Sequence, residues 1–371
     1  MRISILTLPL DRNYGGILQC YALQTVLRHM GHEVKILSKP KYGYSYCVIY
    51  PLSIFKRLLK RFLLRYNVSI FKPSHEIVSA NIDIFVNRYF TKYTKRHWNS
   101  SISKQFDAVI VGSDQIWRPQ YSESIEHSFL SFLDGKNIKR ISYAASFGVD
   151  ECEYNEEQIK KCSSLLRQFD AVSVREASGI DICRNYLGVD AVQMLDPTLL
   201  LNVDDYCRLI DNTDTCPIEG NMLVYILDDT EEKRYLIETV AKERGLIPFY
   251  INIDTEDSTI PLENRIKIPV EQWLRSFRDA SFVFTDSFHG CVFSIIFRKE
   301  FIAIGNKARG LSRFHSLLNQ FSIDGRLILS KEEYENNRAL LTEEIDYNKV
   351  CDKLNYERNR SYEFIENSLL E

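Results

Sequence analysis

The side chains with the most evident chemical capability follow a short apolar segment in the second half of the chain. Phe282–Phe284 is an apolar run bounded by polar residues, which is typical of a buried strand. A carboxylate, a hydroxyl and an imidazole follow on Asp286, Ser287 and His289, and a second apolar run from Cys291 indicates a buried helix. Ligands of open α/β sheets bind at the carboxyl ends of strands, where the next helix offers free N–H groups to an anion.

The same turn also has a purely structural interpretation. Ser287 or Asp286 would then only cap the helix, since both residue types are preferred at that position. His289 would be a hydrogen-bonded, half-buried histidine without a chemical role. This stretch alone leaves both interpretations open.

Polar side chains also follow other apolar segments, at Asp114, Arg175, Lys307 and Arg309. A guanidinium binds a carboxylate or phosphate through two parallel hydrogen bonds, so a cleft that collects these residues would suit a small polyanion. Each residue also has a structural alternative. Arg175 would lie on the surface, and Lys307 and Arg309 would be solvent-exposed residues of a loop. Asp114 would form the turn before residues 115–117.

Alternating strand and helix patterns are expected to position these residues. Residues 2–8, a glycine turn at 13–16, a helix that stops near Gly31 and a strand at 33–37 form a unit typical of Rossmann-like domains. The turn lacks the G-x-G-x-x-G pattern, so it carries no dinucleotide fingerprint. A second α/β half begins at Met222. We therefore predict an α/β protein with two Rossmann-like domains facing a cleft, a GT-B-like arrangement.

The predicted domain boundaries follow from where this alternation is interrupted. The first domain spans residues 1–203, with a helical insertion at about 41–100, and the second spans 204–330. Residues 331–371 form an acidic helical tail, for which a return to the first domain is one option.

The insertion contains a basic amphipathic segment at residues 54–66. Phe55, Leu58 and Phe62 recur at helical spacing with other apolar residues, and lysines and arginines fill the positions between them. Such a helix either docks on the core with a solvated basic face, or contacts an anionic membrane surface or a diphosphate-linked lipid. Both interpretations stay open.

Composition limits the class of protein. The chain has 371 residues, 26% charged residues and a formal net charge of −3, which suits a soluble two-domain protein and gives no argument for a nucleic-acid partner. Nine cysteines occur without a C-x-x-C pair, which favours free thiols in a reducing cytoplasm. No signal peptide or membrane-length apolar stretch is evident. We predict a cytoplasmic protein, with the inner face of the plasma membrane as a peripheral location, and neither metal nor cofactor.

Taken together, several short motifs resemble the polysaccharide pyruvyl transferase family. They occur in the family's order over about residues 3–328, at 13–16, Gln19, 21–24, 111–117, 143–148, 173–176, 195–200, 285–290 and 312–314. The resemblance implies a GT-B-like fold. It also implies transfer of pyruvate from the co-substrate phosphoenolpyruvate onto two sugar hydroxyls as a cyclic ketal, in capsular polysaccharide or exopolysaccharide biosynthesis. The expected acceptor is a lipid-linked precursor.

The resemblance also assigns expected roles to residues. Arg175 and His289 match family positions that bind or act on the donor. With their neighbours they give an expected donor set, formed by Arg175 of the first domain and by Ser287, His289, Lys307, Arg309 and Arg313 of the second, which is the expected donor side. The expected acceptor set on the first-domain side is Asn13, Tyr14, Gly15, Gly16, Ser113 and Trp117.

Residue chemistry agrees with this reaction. A proton delivered to the enol methylene makes C2 electrophilic, so that a sugar hydroxyl can attack, phosphate can leave and a second hydroxyl can close the ring. The titration range of histidine suits His289 as the acid. Asp114 or Asp286 would accept hydroxyl protons or orient His289, and the sequence does not choose between them.

Two other functions fit the same architecture. A nucleotide-sugar glycosyltransferase would bind a diphosphate with the same cations, and release of a nucleoside diphosphate would identify it. A non-catalytic carbohydrate-binding or assembly protein would bind sugar without turnover.

Overall fold

Two fully parallel β-sheets form the framework of the protein. The computed structural model describes residues 1–11, 13–38, 75–95, 98–122, 124–251, 260–305 and 310–370. The strands of the first sheet are β1 (Arg2–Leu6), β2 (Glu33–Ser38), β3 (Lys92–Thr94), β4 (Ala108–Val111), β5 (Lys139–Ala145), β6 (Ala171–Val174) and β7 (Val192–Gln193). Those of the second are β8 (Met222–Tyr225), β9 (Pro248–Tyr250), β10 (Phe282–Thr285), β11 (Glu300–Ile304) and β12 (Leu327–Ile328). Their orders are β3-β2-β1-β4-β5-β6-β7 and β12-β11-β10-β8-β9.

Helices connect the strands and cover the sheets. The α-helices are α1 (Tyr14–His29), α2 (His75–Val78), α3 (Ala80–Tyr89), α4 (Ile125–Ser128), α5 (Glu156–Leu166), α6 (Ala177–Ile182), α7 (Val203–Asp211), α8 (Glu231–Arg244), α9 (Val270–Asp279), α10 (Phe288–Ile296), α11 (Ser312–Phe321), α12 (Lys331–Asn336), α13 (Arg338–Thr342) and α14 (Tyr347–Leu370). A π-helical turn at Cys183–Leu187 continues α6, and a 3₁₀ turn at Pro197–Leu200 follows β7. Within the described residues, no helix combines the length and apolarity needed to cross a membrane.

The central strands are buried on both faces. All residues of β4, β8 and β10 are buried, and their continuous apolar sequences are typical of parallel strands covered by helices. Ile3 pairs with Ala108, and Val283 pairs with Leu223. Because parallel neighbours end at the same edge of a sheet, the polar residues that follow these strands are brought together in each domain.

The last helix joins the two domains. At the start of α14, Tyr347 donates its hydroxyl hydrogen to the carbonyl of Lys299 in the second domain, at 2.5 Å. Farther along, the Arg358 guanidinium donates to the carbonyl of Leu199, and Tyr362 donates to that of Leu200. The tail therefore returns to the first domain, the option that the sequence left open.

The insertion differs from the expectation in one respect. Residues 75–89 are largely helical, but β3 lies inside the predicted helical region and forms an edge of the first sheet, where Ile36 pairs with Lys92. A three-residue strand with no buried side chain has no apolar pattern to reveal it. The predicted basic helix at 54–66 lies outside the described residues.

Two helices begin earlier than the sequence indicates. α1 starts at Tyr14 and α10 at Phe288, so that Gly15 and His289 lie in first helical turns rather than in the preceding loops. Glycine is a poor helix former, which is why both segments read as turns. Glycine is nevertheless required at position 15, because a Cβ atom there would overlap with the imidazole of His289.

Candidate active site

The carboxyl ends of β6 and β10 face each other across the two domains. The Arg175 guanidinium, just after β6, lies 4.4 Å from the centroid of the Phe288 ring in the first turn of α10. Beside them, the backbone N–H of Ala177 donates to the hydroxyl of Ser316 at 3.0 Å. A Cβ atom on Gly310 would overlap with the carbonyl of Gly148, so the cleft is narrow here.

Arg175 is a buried cation with unused donors. Its Nη1 atom donates to Oδ2 of Asp196 at 2.9 Å, and its Nε lies 3.7 Å from Oε2 of Glu176. Nε and Nη2 have no hydrogen-bond acceptor among the described residues. Burial lowers the pKa of Arg175, but Asp196, Glu176 and Asp114 together raise it above its ordinary value. The side chain is therefore charged and retains capacity for an oxyanion.

A second buried arginine comes from the other domain. Arg313, in the first turn of α11, lies with its guanidinium 5.8 Å from the Phe288 ring centroid. Burial, followed by repulsion from Arg175, lowers the pKa of Arg313 to about 10. Both cations thus contact the same aromatic ring, and an anion bound beside it would relieve their repulsion.

Asp196 connects the first-domain residues to His289. Its Oδ2 accepts hydrogen bonds from Ser113 at 3.2 Å and from Arg175, and lies 3.5 Å from Nε2 of His289. Its Oδ1 accepts from the N–H and the hydroxyl of Thr198. Burial raises the pKa of Asp196, but His289, Arg175 and Thr198 together lower it below its usual range, so the carboxylate is ionised.

The sequence does not single out this aspartate. Asp196 follows the two-residue strand β7 and precedes Pro197, and it enters the predictions only as a member of the motif at residues 195–200. A carboxylate after a parallel strand was a usable signal, because such strand ends meet at one edge of the sheet. Glu176 was missed in the same way. Its Oε1 accepts from Ser146 and from the N–H groups of residues 147 and 148, which fixes the loop after β5.

The start of α1 lies against His289. Gly15 contacts the imidazole, and a Cβ atom at position 16 would lie 2.8 Å from Oδ2 of Asp114. Asn13 donates its side-chain N–H to the same oxygen at 3.2 Å. Asp114 has a φ of +68°, in the left-handed region that aspartate tolerates better than most residues. The expected residues Asn13, Gly15, Gly16 and Asp114 are thus brought together beside His289.

Asp286 has a different environment from the one we expected. Its Oδ1 accepts from the N–H of Leu227 at 2.6 Å, and its Oδ2 accepts from Asp228 and from Nζ of Lys233. The side chain thus faces the end of β8, which pairs with β10. The suggestion that Asp286 orients His289 is therefore corrected: the carboxylate beside that imidazole belongs to Asp196.

Two aromatic residues expected at the acceptor lie instead in packed regions. Trp117 is fully buried, stacks on Phe129 and donates to the carbonyl of Ser128. Tyr14 stacks on Trp273, and its hydroxyl donates to the carbonyl of Ile268 at 2.9 Å. Both corrections have one reason: the large aromatic rings of these two motifs are buried by packing.

The remaining predicted residues lie at the edge of the site or outside its description. Ser287 caps α10, where its hydroxyl accepts from the N–H of Gly290 at 3.4 Å. Lys307 and Arg309 lie outside the described residues. In the described part of the chain, no group of three or more His, Cys, Asp or Glu side chains could hold a metal ion.

The arrangement can bind an anion and transfer a proton. Two arginines supply charge and N–H donors, and an ionised carboxylate lies within reach of an imidazole. His289 is only 6% exposed, so a bound substrate would react largely out of contact with water.

Comparisons with known proteins agree with the fold. A model of the family described as polysaccharide pyruvyl transferase matches residues 13–308. A search of curated proteins found no match. Among solved structures, the chain is similar to UGT89C1 of Arabidopsis thaliana complexed with UDP-L-rhamnose, at 11% identity and a TM-score of 0.50, covering 100% of this chain and 98% of that one. It is also similar to UDP-GlcNAc 2-epimerase from Neisseria meningitidis bound to UDP-GlcNAc, at 11% identity, a TM-score of 0.50 and full coverage of both chains. The predicted GT-B-like fold is confirmed.

Proposed function

Because the chain belongs to the polysaccharide pyruvyl transferase family, we propose that its cleft binds phosphoenolpyruvate and transfers the pyruvyl group to a sugar. The product is a cyclic ketal on two sugar hydroxyls. One observation carries the proposal: two buried arginines from different domains contact Phe288 next to His289, and Arg175 has unused N–H donors among the described residues. Such a site suits a small molecule with both a carboxylate and a phosphate.

The site residues fit the steps of this reaction. The imidazolium of His289 donates a proton to the methylene carbon of the bound enol, and C2 becomes electrophilic. A sugar hydroxyl attacks C2 and loses its proton to a base. Phosphate then leaves C2, and a second hydroxyl adds there, passes its proton to the departing phosphate and closes the ring. We assign Asp114 as that base because of its position. Its Oδ1 accepts from the N–H of Gln115 and its Oδ2 from Asn13 at the start of α1. Asp286, by contrast, faces Lys233 and the backbone at the end of β8.

We further propose a lipid-linked sugar of surface-polysaccharide biosynthesis as the acceptor. Asn13, Gly15, Gly16 and Ser113 remain its candidate ligands on the first domain. Lys307 and Arg309 remain candidate donor ligands. The proposed membrane contact of residues 54–66 would bring the enzyme to such a lipid.

Phosphate release from phosphoenolpyruvate tests the proposal. The purified protein is incubated with phosphoenolpyruvate and a panel of lipid-linked sugars, and released phosphate and product mass are measured. We expect acceptor-dependent release and a pyruvylated product. Arg175→Lys keeps the charge but loses the bidentate geometry, so it should raise the donor KM by about 10-fold or more. Arg184→Ala is the control, because Arg184 is exposed and pairs only with Asp190 in the described chain.

The same assay separates the alternatives. The two similar structures were determined with UDP-sugars, so UDP-sugars belong in the panel as donors. Release of UDP without consumption of phosphoenolpyruvate would replace the proposal with a glycosyltransferase. Sugar binding without turnover of any donor would indicate a non-catalytic protein.

A further inference from the structure

We propose that Asp196 is a positioning residue that aligns His289 and Arg175 through one oxygen atom. The inference rests on the proposed function, because it assigns Asp196 a part in the same reaction. Oδ2 of Asp196 accepts hydrogen bonds from Ser113 and Arg175 and lies 3.5 Å from Nε2 of His289. Oδ1 accepts a hydrogen bond from the hydroxyl of Thr198. A single carboxylate oxygen thus sets the relative position of the proposed acid and the proposed donor ligand.

The backbone around Asp196 is held firmly enough for this role. Tyr206 donates its hydroxyl hydrogen to the carbonyl of Thr198 at 2.8 Å. Arg358 of α14 donates to the carbonyls of Leu199 and Leu201 at 2.5 and 2.6 Å. The 3₁₀ turn that begins after Asp196 is therefore fixed by two helices, and the carboxylate has little freedom to follow a substrate.

The geometry selects the nitrogen that acts on the donor. Hydrogen bonds at one ring nitrogen of a histidine set the role of the other. Nε2 of His289 faces Asp196 at 3.5 Å, a distance that is expected to shorten when the donor binds. Nδ1 is then the nitrogen that hands its proton to the enol methylene. Gly15 is needed beside it, because a side chain there would occupy the space next to Nδ1.

Asp196 carries a negative charge inside a site proposed to bind an anion. Its effect on kcat can therefore be measured separately from donor binding, which the charge opposes. Asp196→Asn removes repulsion toward the donor but keeps a side-chain oxygen that can accept from Nη1 of Arg175, as Oδ2 does in the unmodified protein. It also removes the carboxylate charge that faces Nε2 of His289. We therefore expect Asp196→Asn to lower kcat by about 10²-fold, the loss that misplacement of a reacting group can cause, while the donor KM stays the same or falls. A purely structural residue would misplace Arg175 and raise the donor KM.

Two further variants support the interpretation. Asp107→Asn removes the same charge at the opposite end of the first sheet, where Asp107 pairs with Arg2, and should leave both constants unchanged. Thr198→Val keeps the carboxylate but removes one of the hydrogen bonds that hold Oδ1. It should lower kcat by a few-fold and provides a test if Asp196→Asn does not fold.

Proton NMR gives a readout that does not depend on activity. We expect a downfield imidazole N–H signal in the unmodified protein and in Asp107→Asn, absent from Asp196→Asn and from His289→Gln. If this pattern appears while phosphoenolpyruvate is not consumed, the pairing holds and the proposed function fails. A signal that persists in Asp196→Asn, or a raised donor KM with unchanged kcat, would overturn the inference.

Discussion

His289 is the residue on which the proposed chemistry depends. Losing a positioned acid costs about 10²–10⁴ in rate, so His289→Gln should lower kcat by that factor with a smaller effect on the acceptor KM. In heavy water the unmodified enzyme should place one deuterium in the pyruvyl methyl group, which mass spectrometry of the product measures. A near-normal kcat with weakened donor binding would instead make His289 an anion ligand.

Asp286 provides the contrasting case at the same scale. Its ion pair with Lys233 is buried, at 2.6 Å, and removal of one partner from such a pair typically costs about 3–5 kcal/mol of stability. Asp286→Asn should therefore lower the denaturant midpoint of unfolding markedly while the folded enzyme keeps its kcat. Lys233→Met is the companion variant and should show the same loss. If Asp286→Asn lowered kcat without lowering the stability, Asp286 would instead have a role in the reaction.

At the scale of elements, the first turn of α1 is the sensitive feature. Gly15→Ala should not weaken the helix, because alanine favours helix by about 1 kcal/mol relative to glycine. The added methyl group would nevertheless displace the imidazole of His289. We expect kcat to fall by about 10-fold or more, with circular dichroism unchanged.

Gly325→Ala is a suitable comparison for that variant. Its Cβ would approach the end of the flexible Leu340 side chain, which can move aside. We expect little change in kcat from this substitution. Equal kcat values for both variants would show that close packing of α1 against His289 is not required for turnover.

At the scale of the whole molecule, α14 links the second domain to the segment that carries Asp196. Arg358→Ala removes charge-assisted hydrogen bonds to the carbonyls of Leu199 and Leu201, each worth about 1.5–3 kcal/mol. We expect a lower Tm and a reduced kcat, since the turn after Asp196 loosens. Calorimetry and the phosphate-release assay measure the two effects.

Arg360→Ala is the matched control on the same helix. Arg360 pairs with Glu357 near the surface, and exposed pairs contribute about 0–1 kcal/mol. A Tm and a kcat close to those of the unmodified protein are expected. If Arg358→Ala behaves in the same way, α14 does not control the position of Asp196.

The sequence by itself determined the architecture and the order of its elements. The strand predicted at 33–37 differs from β2 by one residue, and the second α/β half begins at Met222, where β8 starts. Strands buried on both faces have continuous apolar sequences, whereas apolar residues of the helices between them recur every three to four positions. Local sequence patterns are therefore sufficient to predict these elements. Arg175 and His289 were found for the same reason, because they follow such runs.

Only the tertiary structure decided which side chains meet. Asp286 is three residues from His289, yet its carboxylate turns to Lys233, whereas Asp196 lies far away in sequence and reaches the imidazole. Trp117 belongs to the motif at residues 111–117 but is buried in the core. Sequence spacing fixes where the backbone places a residue, but the partner of its side chain depends on strand pairing and on the approach of the second domain. Those contacts involve residues distant in the chain, so no local pattern records them.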